Sequence, residues 1–287
     1  MNQKIIDFEK WLAEYEGDDK IISSHEMKKI LDETPKKEYN FESGIPTLNK
    51  LLDGFETGEL ITISGDTRTG KTLFCKGLTI DFEKKGLKCL WFNYENSARV
   101  FFSGFRPDNL PLFYMPKTLA NKDIDWVEKR IWESKIKYDT RVIFIDHLGF
   151  LSDMEKNKDK RSEIDSLVRK IKTLSIKHNI LIFLLWHIRK QSEWRKNYQP
   201  TTDDLKDSSS VAQDSDVVLM MQRLEEKGDY DVGKARIIVE KSRRAGTMRK
   251  SVSLQLKNGF FTEADFREEY GKEDERLDQE MLEKIMK

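Results

Sequence analysis

Five apolar runs of strand length constrain any fold of this chain: 60–64 (LITIS), 88–93 (KCLWFN), 141–151 (RVIFIDHLGFL), 180–187 (ILIFLLWH) and 216–222 (DVVLMMQ). Helical patterns fill 71–85, 123–137 and 162–178 between the first four. Runs that are apolar without alternation, and separated by helices, belong to a parallel sheet covered on both faces. Three later runs, 234–242, 248–256 and 259–263, carry turn signals at Gly246 and Asn258-Gly259 and read as antiparallel strands. The expected class is α/β: a mainly parallel sheet flanked by helices, with antiparallel strands near the C-terminus.

The chain has 287 residues, 38% hydrophobic and 36% charged, enough for a large core beneath a heavily charged surface. Its 51 basic and 51 acidic residues cancel, which excludes a uniformly basic coat for nucleic acid but not a local basic channel. The balance is uneven, because ten acidic against five basic residues from Glu263 onward leave the tail at −5 and residues 1–262 at +5. Cys75 and Cys89, the only cysteines, lie in apolar stretches, as small core residues in a reducing compartment do. The opening MNQKIIDFEKWLAEYEGDD is too acidic for a signal peptide, and no run reaches the length of a membrane span. A cytoplasmic protein is expected, in the host cytoplasm if the source is viral.

Residues 1–40 read as a separate helical segment. Ile5, Phe8, Leu12 and Tyr15 recur at helical spacing beside Trp11, and Ser23 with Glu26 forms a capping box for a second helix. Roughly 40 residues bury little core alone, so these helices are expected to dock on this chain or on a neighbouring copy. The remainder divides into an α/β domain over 41–263 and an acidic tail over 264–287.

Between the first run and the first helix stands ISGDTRTGKTLF, which contains Gly65-x-x-x-x-Gly70-Lys71-Thr72. This is the full pattern of a phosphate-binding loop, in its required strand–loop–helix setting. Such a loop turns successive backbone N–H groups toward anionic oxygens, and glycine permits the close approach. The expected nucleotide contacts are Gly65, Thr67, Arg68, Thr69, Gly70, Lys71, Thr72 and Leu73, with Lys71 reaching the β- and γ-phosphates and Thr72 coordinating Mg²⁺. By accident the pattern arises in roughly one chain per hundred of this length at ordinary glycine usage. Phosphate would repel Asp66, so its carboxylate is expected to point away.

Three further strand ends carry chemistry. Asp146 closes IFID and is the expected partner of Thr72 at Mg²⁺, through a bound water. Glu95 in NYENS follows another strand, where ligands of open α/β sheets gather, and is the candidate general base for an attacking water. The plainer alternative is a surface glutamate before a helix capped by Asn96 or Ser97. His187 ends FLLWH. A polar group there could hydrogen-bond the γ-phosphate and report hydrolysis, although a lone strand-end histidine is more often structural.

Taken in order, GIPTLNKLLDGFETGELITISGDTRTGKT, the glutamate of NYENS, IFIDHLGFL, LLWHIRK, DLKDSSSVAQDSDVVLMMQR and IIVEKSRRAGT resemble the RecA-like motor domain of DnaB-type hexameric replicative helicases, in a short phage-like form. The resemblance covers roughly 42–262. It implies an ATP-hydrolysing DNA helicase in replication, working as a homo-oligomeric ring with ATP between subunits, on single-stranded DNA and without a membrane. It also implies that Lys241 and Arg243, with Arg244 as a possible substitute, reach the γ-phosphate of the adjacent subunit, and that His187 senses that phosphate. By position, the DNA-holding loops fall on 152–161, with Lys156, Lys158, Lys160 and Arg161, and on 189–210, with Lys190, Arg195 and Lys196. Trp194 is placed either to stack on a base or to pack against a neighbouring subunit.

The chain departs from that family at Gly149, where glutamine is usual, and in showing two short helices where relatives carry a large N-terminal domain. Ring assembly is then expected to depend on DNA, nucleotide or a second protein, such as a loader, primase or polymerase. A RecA- or RadA-like recombination or regulatory ATPase remains the alternative, as does a nucleotide-binding accessory factor. DLKDSSSVAQDSD argues against the former, and the intact set Lys71, Thr72, Glu95 and Asp146 against the latter.

Overall fold

The structure, a computed structural model, describes residues 3–17, 20–33, 41–105, 110–119, 123–147, 149, 151, 160–188, 200–205, 210–226 and 229–264. It divides into two compact units, Met1–Tyr39 and Asn40–Lys287.

The first unit holds α1 (Gln3–Ala13) and α2 (Ser24–Glu33). The capping box forms: the Ser23 N–H donates to Glu26 Oε2 at 2.9 Å and the Glu26 N–H to Ser23 Oγ at 3.1 Å. The Ser23 N–H and the Ser23 hydroxyl, at 2.8 Å, both donate to Glu26 Oε2, which favours the ionised form and holds the Glu26 carboxyl below its ordinary range. On α1, Ile5, Phe8, Trp11 and Leu12 are exposed. The helix stops at Ala13, so Tyr15, expected on its apolar face, stands beyond it and donates its N–H to Leu12 O at 3.3 Å.

The second unit begins with α3 (Pro46–Leu52), where proline opens the helix and Asp53 closes it in the left-handed region. Next come β1 (Leu60–Gly65), α4 (Lys71–Lys84), β2 (Lys88–Asn93), α5 (Ala98–Ser103), β3 (Phe113–Tyr114), α6 (Ile124–Tyr138) and β4 (Thr140–Asp146). After these follow α7 (Lys160–Lys177), β5 (Leu181–His187), α8 (Ser210–Asp214), β6 (Val217–Glu226), β7 (Asp229–Ser242), β8 (Lys250–Lys257) and β9 (Phe260–Glu263).

Among the described residues, nine strands join one sheet in the order β3-β2-β4-β5-β1-β6-β7-β8-β9. Pairings from β3 through β6 are parallel, and those from β6 through β9 antiparallel. β1 lies between β5 and β6 and is buried at every position, which is why its sequence does not alternate. One face of the sheet carries an aromatic stack: Trp91 on Phe144 with ring centroids 4.5 Å apart, and Phe144 on Phe183 at 4.9 Å. The other face presents Phe92, Ile143, Ile182 and Leu184 to Ile131 of α6 and to Val168 and Ile171 of α7. The β8–β9 hairpin turns on Asn258 at φ 54° and Gly259 at φ 86°, the two left-handed residues its sequence signals.

One expectation for this unit needs correction. The run 141–151 is not strand throughout: β4 ends at Asp146, and Leu151 is buried in the same core without being strand. The short elements α3, β3 and α8 were not anticipated, whereas α5 is the helix capped by Ser97 that the plainer reading of Glu95 offered. The acidic tail from residue 265 lies outside the described residues.

Candidate nucleotide site

β1 ends at Gly65 with no room for a side chain. It lies in register with His187 of β5 and Met221 of β6, and a Cβ placed there would stand 2.4 Å from the Met221 carbonyl oxygen. The loop then turns through Arg68 at φ 66° and Gly70 at φ 95° into α4. At Gly70 a Cβ would meet the Phe261 ring at 2.7 Å. Thr69 is buried and braces the loop, its hydroxyl donating to Asp66 O at 2.9 Å. The Asp66 carboxylate turns back on the loop and accepts the Thr67 N–H at 2.7 Å. Leu73 sits half-buried in the first turn of α4.

Lys71 is 7% exposed, with Nζ donating to Gly65 O at 3.0 Å and Asp66 O at 2.8 Å. Burial lowers its pKa, while the nearby charges of Glu95, Asp146 and Asp66 work the other way. The Thr72 hydroxyl donates to Asp146 Oδ2 at 2.8 Å. Asp146 is 1% exposed, and burial first, then Glu95, pushes its carboxyl up to about 7 against the Thr72 bond and Lys71. A hydroxyl and a carboxylate in hydrogen-bond contact form an all-oxygen donor set, the kind that a hard cation such as Mg²⁺ takes.

The Asp146 carbonyl oxygen accepts the N–H groups of Tyr94 at 2.6 Å and Glu95 at 3.2 Å, so the turn that carries Glu95 is fastened to the end of β4. Buried Asn93 secures the same turn, donating Nδ2 to Asn96 O at 2.8 Å. Ser97 is the cap of α5, accepting the Val100 N–H at 3.4 Å. Glu95 itself is exposed. Lys71, Thr72, Asp146, Glu95 and His187 thus converge at the C-terminal ends of adjacent parallel strands.

The basic group from KSRR lies elsewhere. Lys241 and Ser242 pair with Val218 and Val217 at the start of β6, whereas the cradle stands beside Met221. The offset of three to four residues amounts to about 10–13 Å along a strand. Lys241 Nζ donates to the carbonyls of Ala212, Gln213 and Ser215 at 2.7, 3.1 and 2.8 Å, closing the C-terminal end of α8. Arg243 donates its backbone N–H to Asp216 O at 2.9 Å and a guanidinium N–H to Gln213 O, with Nη1 3.5 Å from Asp216 Oδ1. Arg244 is held by Asp53 O at 2.8 Å, Gly54 O at 2.9 Å and Glu59 Oε1 at 3.1 Å, a clasp within its own chain.

Of the expected DNA contacts, Arg161 is exposed in the first turn of α7, and Lys160 begins that helix. Lys156, Lys158, Lys190, Arg195 and Lys196, like Trp194, lie outside the described residues. Sequence reasoning passed over two residues at the site, Asn93 and His147. Asn93 opens the NYENS stretch and His147 directly follows Asp146, and that nearness in sequence was the available signal.

Among known proteins, the profile of the DnaB-like helicase C terminal domain matches residues 110–263. A probable replicative DNA helicase of Trieres chinensis is 26% identical over 212 residues, 63% of this chain and 47% of the relative. The replicative DNA helicase DnaB of Mycoplasma pneumoniae is 22% identical over 258 residues, 75% of this chain and 54% of the relative. The chain thus spans about half the length of the curated relatives it matches. In structure it is similar to a solved ATPase domain, with TM-score 0.69, 16% identity, and 84% and 98% of the two chains covered. It is also similar to a DnaB-like replicative helicase solved for its interactions with primase, with TM-score 0.68, 16% identity, and 91% and 71% covered.

Proposed function

We propose, for a chain that belongs to the DnaB-like helicase C terminal domain family, that it hydrolyses ATP to move along single-stranded DNA and part the duplex during replication. The observation that carries this reading is the convergence of Lys71, the Thr72–Asp146 pair and Glu95 around one cradle.

In this mechanism the loop N–H groups and Lys71 hold the β- and γ-phosphates, Lys71 leaving the carbonyls of Gly65 and Asp66 to do so. Thr72 and Asp146 hold Mg²⁺, which when bound neutralises charge on the phosphate oxygens. Glu95 takes the proton of the attacking water, and His187, in register with Gly65, hydrogen-bonds the γ-phosphate. Arg243 and Lys241 serve the cradle of the adjacent copy, because they stand at the opposite end of the sheet from their own. An arginine supplied this way accelerates phosphoryl transfer by about 10³–10⁵ in well-studied GTPases.

Residues 41–263 form the motor, 1–40 the segment that docks copies together in a hexameric ring, and 264–287 an acidic tail. Lys156, Lys158, Lys160, Arg161, Lys190, Arg195 and Lys196 grip the DNA backbone without reading sequence. A primase, loader or polymerase completes the assembly.

Strand displacement on a forked duplex is the test, run with ATP, without it, and with a non-hydrolysable analogue. Unwinding only with hydrolysable ATP, alongside turnover stimulated by oligo-dT, is the expected result. Turnover indifferent to DNA points instead to an accessory factor, and strand pairing without unwinding to a recombination ATPase.

A further inference from the structure

His147 takes no part in the mechanism above, yet it stands among residues that do. It follows Asp146 at the end of β4 and is half-buried. Its Nδ1 accepts the Gly149 N–H at 3.0 Å. Its ring meets that of His187 edge to face, with centroids 4.6 Å apart and planes at 89°. One ligating atom from each of Glu95, His147 and His187 lies within 4.8 Å of the other two.

Two imidazoles and a carboxylate have the composition of a transition-metal site. The proton count at His147 argues otherwise. A neutral imidazole has one lone pair and one N–H. The Gly149 N–H occupies the lone pair on Nδ1, so the proton stays on Nε2. A histidine that ligates a metal does the reverse, donating its second N–H to an acceptor. What His147 offers at its far edge is a hydrogen-bond donor.

Glu95 has need of one. It is exposed, on a turn, and the hydrogen bond its side chain makes with the Asp146 carboxyl leaves further lone pairs to satisfy. Its carboxylate accepts and cannot donate when ionised. Resting on the ATPase reading above, we propose that His147 is a positioning residue for hydrolysis, its Nε2–H holding the Glu95 carboxylate, and its ring the ring of His187, in line with the attacking water. The Gly149 bond fixes the imidazole so that it can act as the rigid member of the three.

The two amide replacements separate this role from a merely structural one. An asparagine at 147 reaches only as far as Nδ1, so His147→Asn keeps an acceptor for Gly149 and loses the far donor. A glutamine reaches to the place of Nε2, so His147→Gln restores it. The expected result is a kcat for ATP about tenfold to a hundredfold lower in His147→Asn, with KM and Tm near wild type, and substantial recovery in His147→Gln. Wild-type kcat in His147→Asn, or equal losses in the two variants, would overturn the proposal.

A second measurement serves if either variant melts early. In a Glu95→Gln background, single-turnover rates should be unchanged by His147→Asn, because the two residues act as one device. Independent, multiplying losses would refute it. Absence of ATP turnover in the wild type would remove the ATPase reading itself, and a rate that Glu95→Gln leaves untouched would remove only the base assignment, results distinct from both.

Discussion

At the scale of single residues, the site depends on two carboxylates with different surroundings. Glu95 is exposed and Asp146 is 1% exposed, though their main chains are joined through the Asp146 carbonyl. That contrast suits a base within reach of solvent water beside a buried cation ligand. Glu95→Gln keeps size and polarity but cannot take a proton, so ATP binding should persist while kcat falls by about 10²–10⁴. Equilibrium binding of a fluorescent ATP analogue, measured beside turnover, checks this, and lost binding would remove the base assignment. Asp146 predicts a stability effect whose sign follows from burial. Its carboxyl is raised from an ordinary 3.8 to about 7, so the folded chain holds this proton more tightly than the unfolded one. Its contribution is favourable at low pH and is lost as pH rises from about 4 through about 7. Asp146→Asn removes that dependence while still accepting the Thr72 hydroxyl. Without nucleotide or Mg²⁺, the variant should gain stability relative to wild type between pH 5 and pH 8 in urea titrations. A difference constant across that range would contradict the assignment.

At the scale of elements, Arg244 is the informative side chain. It ties the end of β7 to Asp53 and Gly54, just past α3, and to Glu59, just before β1. Arg244→Ala leaves these partners unmet and should cost about 1–3 kcal/mol, read as a lower midpoint of chemical denaturation. A midpoint equal to wild type would mean that solvent replaces the clasp. The same scale shows what the sequence could disclose. β1, β2 and β5 were legible because burial on both faces writes an unbroken apolar run, and β8–β9 because Asn258-Gly259 permits few other turns. The end of β4 was not, since Leu151 continues the hydropathy of the strand into the core after the strand has stopped. β3 has two residues and α8 five, too few for any period to register, and both exist because neighbours hold them. Lys71, Thr72 and Asp146 could be found from spacing alone. The meeting of His147 with Glu95 and His187 could not, because it depends on strand order, which brings the ends of β2, β4 and β5 together.

At the scale of the whole molecule, the distance between Arg243 and the cradle of its own chain has a direct test. A side chain at one end of a sheet serves a phosphate at the other end only through a second copy. Arg243→Ala should therefore depress its neighbours, and mixtures with wild type should turn over ATP below the linear average of the two rates. Rates falling in simple proportion to the wild-type fraction would mean that Arg243 acts on no other subunit. Arg244 adds a consequence. It adjoins Arg243 in sequence and grips the root of the strand whose tip is the cradle. In the proposed ring, a tug on Arg243 from next door would be passed inward to the grip its own chain has on fuel. If copies close into the proposed circle, such wiring would let each chamber sense whether the one beside it is loaded, and discharge would travel in order instead of striking at random.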